Sequence, residues 1–181
     1  MLSDDWLIVT PETMATANNA ETLKSLGLVG PGDAQNLNSI LERIKSGEIE
    51  FYYERSSLNR ELKNHISAQL VQHRDEVTPD DVKAACEEIP GQLPAVYGTE
   101  IVMGACSMET ENGISFLAYE YSIPAQSVHV IQYELPFGDE STLVVVGGVV
   151  DTGSINLVRA AQRQVIKSAT DFVSKNRYSK A

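Results

Sequence analysis

Cysteine is scarce: of 181 residues only Cys86 and Cys106 carry a thiol, which excludes a small scaffold stapled by several disulfides. Two cysteines either form one bridge in an oxidising compartment or stay as small buried thiols in a reducing one. Trp6–Val9 is too short for the core of a signal peptide and follows no basic stretch. The expectation is therefore a cytoplasmic chain with reduced, buried thiols, and a periplasmic or secreted one if a leader was trimmed. Long hydrophobic runs are missing as well. The longest, Leu143–Val150, falls far short of the roughly 18 residues a membrane span requires, so none is expected. Basic residues are few, with 14 Lys and Arg against 25 Asp and Glu, and the net charge is −11. Residues 1–150 hold 8 basic against 23 acidic side chains, whereas residues 151–181 hold 6 against 2. So acidic a body repels phosphate backbones, which argues against nucleic acid as a partner.

Motifs for cofactor chemistry are absent too. Gly147-Gly148 and Gly30-Pro31-Gly32 extend to neither a dinucleotide fingerprint nor a phosphate-binding loop. His65, His73 and His129 do not stand at metal-ligand spacing. The acidic pairs Asp75-Glu76, Asp80-Asp81 and Glu87-Glu88 match no calcium loop and read as a solvated helix face. No cofactor is expected. Val149–Ser154 does look like the catalytic loop of an aspartic protease, in which two such aspartates share a proton. That chemistry needs a second motif and further strands, yet the 30 residues after Asp151 read as helix. Asp151–Ser154 is better explained as the turn from strand into helix, with Ser154 or Asp151 as the cap. Cys106 follows Gly104-Ala105, which is no nucleophile elbow, so it reads as a small apolar residue.

What is present is a clear order of elements. Trp6–Val9 suits an edge strand, and helices are expected over Thr10–Leu26 and from Asp33 to Ile44, ended by Gly47. Glu48–Arg55 alternates apolar and polar residues, as does His65–Val71, and both read as strands. Thr78-Pro79-Asp80-Asp81 opens a helix whose stripe is Val82, Ala85, Cys86 and Ile89, with Pro90-Gly91 expected to stop it. Thr99–Ser107, Gly113–Tyr121, Val128–Leu135 and Ser141–Val150 follow with short links, which predicts a four-strand antiparallel meander. Ser141–Val150 is apolar on both alternating faces, so it should be covered from both sides. The last helix carries the stripe Val158, Ala161, Val165, Ala169 and Phe172. The fold class is α+β: one domain over residues 1–181, an antiparallel sheet flanked by helices, closed by a long C-terminal helix.

Several of these features together carry a resemblance. They are the strand leading into a Pro-Glu step (Leu7–Glu12), the Ile66–Leu70 strand, the Pro79–Ile89 helix, the meander, and a closing helix with Ser168 in its second half. In outline the chain resembles the fold shared by PsbP, the Ran-binding Mog protein and the DcrB-like proteins. The resemblance implies a protein that binds other proteins, and some DcrB-like members are chaperones for secreted effectors. The residues add a candidate surface. Tyr119, Tyr121, His129 and Tyr133 fall in meander strands, and tyrosine joins a rigid apolar ring to a polar tip, as binding surfaces favour. The expected function is a non-catalytic protein-binding module: an adaptor, chaperone-like factor or assembly subunit. The alternatives are an immunity protein whose acidity complements a basic toxin, or a hydrolase using Asp151 or Cys106.

Overall fold

The computed structural model describes residues 2–9, 42–57, 64–72, 79–137 and 141–177. The helices expected over Thr10–Leu26 and from Asp33 onward lie outside these, save for a helical turn at 42–45 that ends at Gly47. His73 lies outside them too. Seven strands form one sheet in the order β1 (Trp6–Ile8), β2 (Ile49–Glu54), β3 (His65–Gln72), β7 (Ser141–Val149), β6 (Val128–Pro136), β5 (Ile114–Ile123) and β4 (Val102–Glu111). Every neighbouring pair is antiparallel. The expected meander is β4–β7, and the early strands continue it beyond β7. That makes β7 the central strand, which is why its sequence is apolar on both faces. The β4–β5 link is tight because Asn112 (φ 51°) and Gly113 (φ 75°) both adopt positive φ. Asn-Gly is the pair that tolerates this in a two-residue hairpin turn.

Helix α2 (Ile155–Arg177) crosses one face of the sheet. Its Val158, Ala161, Ile166, Ala169 and Val173 are buried against Ile66, Phe116, Ile131, Leu135 and Val145. Burying each large apolar side chain contributes roughly 1.5–3 kcal/mol. The stripe differs from the expected one at its end: Val173 is buried, while Phe172 is 57% exposed. A buried Gln162 donates from Nε2 to the carbonyl of Ile131 at 2.8 Å. This close approach depends on Gly147, where a Cβ would stand 2.6 Å from Val158 Cγ1 and 2.7 Å from Gln162 Oε1. The neighbouring Gly148 serves the opposite face, where a Cβ would overlap the His65 ring. The glycine pair is therefore a packing device, one residue for each face.

Helix α1 (Pro79–Tyr97) covers the β4–β5 end of that opposite face. It does not stop at Pro90-Gly91 as the sequence suggests. It runs for 19 residues with Pro90 and Pro94 inside and ends at Gly98, whose φ is +64°. Each proline removes one N–H from the helical ladder. Packing compensates: Cys86, Ile89, Leu93 and Tyr97 continue one stripe onto Leu117, Tyr119, Tyr121 and Ile123. The cysteines also differ from expectation. Cys86 and Cys106 are half-buried and joined in a disulfide, with Cα atoms 5.8 Å apart. That bond ties α1 to edge strand β4. Among the described residues, no helix is long and apolar enough to cross a membrane.

Candidate functional site

The four residues expected to form an exposed surface do not form one. Tyr119 and Tyr121 project from β5 under α1 and are 5% and 1% exposed. The Tyr121 hydroxyl lies 2.8 Å from that of Tyr97, and the Tyr119 hydroxyl donates to Glu134 Oε1 at 2.9 Å. Burial, helped by these neighbours, pushes both phenols well above the ordinary tyrosine range. Tyr133 points to the other face, is 2% exposed, and lies under the Arg163 guanidinium, 5.0 Å from its ring centroid. Burial raises its pKa as well. The reason is geometric: α2 covers the face to which Tyr133 points, and α1 covers the β4–β5 end of the face to which Tyr119 and Tyr121 point, so all three rings are turned inward.

His129, half-buried, stands apart from the tyrosines in a polar row. Its Nδ1 is 3.0 Å from Ser122 Oγ and its Nε2 is 3.1 Å from Glu120 Oε2. Arg159 on α2 donates to the other oxygen of Glu120 at 2.7 Å. Burial would raise the Glu120 pKa, but the hydrogen bonds from Arg159 and His129 overcome it and hold the carboxyl below its usual range. A serine, a histidine and a carboxylate in one row can also serve nucleophilic chemistry. Here the row runs across the sheet from β5 to β6, and Arg159 turns it into a fastening for the start of α2.

The two residues expected for a hydrolase are both engaged in holding the fold. Asp151 Oδ1 accepts from Gly153 N at 3.0 Å and caps the turn Thr152–Ser154 that leads into α2. Cys106 is in the disulfide and presents no thiolate. Among the described residues, no three His, Cys, Asp or Glu side chains gather as metal ligands would.

The concave apolar feature lies at the far end of α2, over the β2–β3–β7 side. Here α2 leaves a corner of the sheet uncovered, forming a groove of about 930 Å³. Leu70, Leu143, Phe137, Val165 and Phe172 supply its apolar walls. Leu70 and Phe172 are 47% and 57% exposed, and the Phe137 ring stacks on that of Phe172 at 5.6 Å. Glu48, Glu50 and Ser168 stand among its polar lining. Sequence reasoning missed this site. Leu70 falls in the alternating strand His65–Val71 and Phe172 at the end of the stripe of the last helix, and neither pattern marks an exposed site. Large apolar side chains near the ends of three separate elements, Leu70 in β3, Phe137 just after β6 and Phe172 in α2, were the available signal. Comparison of the chain with protein-family models and with curated proteins finds no match to either.

Proposed function

We propose that this chain is a non-catalytic protein-binding module, an adaptor, chaperone-like factor or assembly subunit, that takes an apolar segment of another protein into the groove at the end of α2. One observation carries the reading: large apolar side chains stand exposed around a concavity, where a soluble surface normally scatters them singly. The net charge of −11 and the rim residues Glu48 and Glu50 favour a segment whose apolar stripe is flanked by basic residues. The PsbP, Mog and DcrB-like outline points to the same class. An immunity protein masking a basic toxin is the variant of this reading that the acidity supports. The disulfide suits an oxidising compartment better than the cytosol.

The test uses a synthetic amphipathic helical peptide with leucine on one face and lysine on the other. Saturable binding is expected, weakened about tenfold or more by Leu70→Asp with Phe172→Asp, as loss of central apolar contacts costs. Val102→Asp, an equally exposed apolar site on β4, should leave binding unchanged. Equal binding by all three proteins, with thermal melts matching, would mean that charge alone attracts the peptide and that the groove is not a site.

A further inference from the structure

On the opposite face of the sheet, the chain builds a second concavity of different chemistry. Helix α1 covers β4 and β5 and stops at Tyr97, while the helical turn at 42–45 brings Arg43 and Ile44 over the β2 side. Between them, over β3, β7 and β6, a cavity of about 330 Å³ is left. That volume falls within the range of small-molecule sites. Its floor is Val128, Val130, Val144 and Val146, with Ile123 at the β5 end. The opposite end is polar, lined by Ser67, Gln69 and Arg43.

Two features of that polar end point to a ligand. Ser67 is 9% exposed and lines the cavity, and its hydroxyl has no hydrogen-bond partner among the described residues. Arg43 is held from one side: its Nε bonds Glu48 at 3.2 Å and its Nη2 reaches Gln69 Oε1 at 3.5 Å. Ser67, Gln69 and Arg43 thus line one end of a cavity whose remaining lining is chiefly valine and isoleucine, with His65, Tyr97, Gln126 and Gln132 as its other polar members. A guanidinium beside hydroxyl and amide donors is suited to a carboxylate.

We propose that this cavity binds a small amphipathic carboxylate, its head on Arg43, Gln69 and Ser67 and its aliphatic chain laid over Val144, Val146 and Val130 toward Ile123. From β3 across β7 and β6 to β5 is three strand spacings, roughly 14 Å, which an extended chain of about eight to ten carbons fills. The cavity adjoins the α2 groove, since Gln69 lines both and Arg43 pairs with Glu48 of the groove's rim, but its valine floor lies on the opposite face of the sheet and its function does not depend on the groove's.

The experiment is a fluorescence titration of the full chain with 1-anilinonaphthalene-8-sulfonate, an apolar ring system bearing an anionic head, followed by displacement with octanoate or octanol. The wild-type protein should bind one equivalent, and octanoate should displace it at concentrations about tenfold lower than octanol. Arg43→Gln should remove that preference while leaving octanol displacement unchanged. Val146→Trp should fill the cavity and abolish binding, and Val144→Phe serves the same purpose should the tryptophan variant not fold. Leu70→Asp with Phe172→Asp should bind the probe as the wild type does. The proposal is overturned if a folded cavity-filling variant still binds the probe, or if octanoate has no advantage over octanol in the wild type.

Discussion

On one face of the sheet, α2 lays 23 residues across the strands, buries a continuous apolar stripe and adds two arginine–carboxylate pairs, Arg159–Glu120 and Arg163–Glu109. On the other, α1 covers only the β4–β5 end, carries two prolines that each remove a ladder hydrogen bond, and is fastened by a disulfide. The α2 face has enough complementary surface to hold itself by packing. The α1 face depends on a covalent tie and leaves the middle of the sheet open. Both concave features follow from this difference. The α2 groove is an overhang at the end of a well-packed helix, and the α1-face cavity is a gap between two partial covers.

If packing holds one face and a covalent bond the other, the largest effect should come from the α2 core. Ile166→Ala removes a side chain that is 1% exposed and should cost about 2–5 kcal/mol by urea denaturation. A loss well under 1 kcal/mol would mean that α2 is not the main anchor. Next comes the tie itself. Replacing both Cys86 and Cys106 by Ser opens a link across 20 residues and should cost about 3 kcal/mol in the chain-entropy account. Amide exchange should then rise in α1 and β4 while β3 and β7 keep their protection. Uniform loss across the sheet would show that the two faces are not separately held.

A smaller effect probes the strand the faces share. Gly148→Ala places a methyl group against the His65 ring and should destabilise the fold by about 1–3 kcal/mol. Most of that penalty should disappear in a His65→Ala background, and a double-mutant cycle measures how much. No coupling between the two changes would contradict the packing role given to Gly148. The smallest expected effect concerns Glu120, which is partly exposed to solvent. Its folded pKa lies below the ordinary 4.5, so its charged form stabilises the fold at pH values above the unfolded value. That contribution is lost as pH falls through the folded value. Glu120→Gln should therefore be modestly less stable than wild type at pH 7 and nearly level with it at pH 3. A difference that grows on acidification would have the wrong sign.

Much of this architecture was legible from local pattern. Strands β2 and β3 announced themselves by alternation, β7 by being apolar on both faces, and Asn112-Gly113 by the turn it requires. Asp151 was readable as a cap because strand, turn and helix follow one another within a few residues. What escaped the sequence depended on tertiary contact. Pro90-Gly91 carries a helix-stop signal, and only the partner surface of Leu117, Tyr119, Tyr121 and Ile123 explains why α1 continues past it. Alternation places Tyr119 and Tyr133 on opposite faces, but it cannot say that both faces are covered. Phe172 fits a helical stripe equally well whether or not the sheet still lies beneath it. The groove exists because, at that residue, it does not.

Hydrogen exchange of the full chain with and without the leucine–lysine peptide tests the central claim most directly. The account predicts added protection at the ends of β3 and α2 and the start of β7, around Leu70, Leu143 and Phe172, with α1 and β4 unchanged. Protection confined to α1 and β4, or spread evenly over the acidic surface, would contradict it.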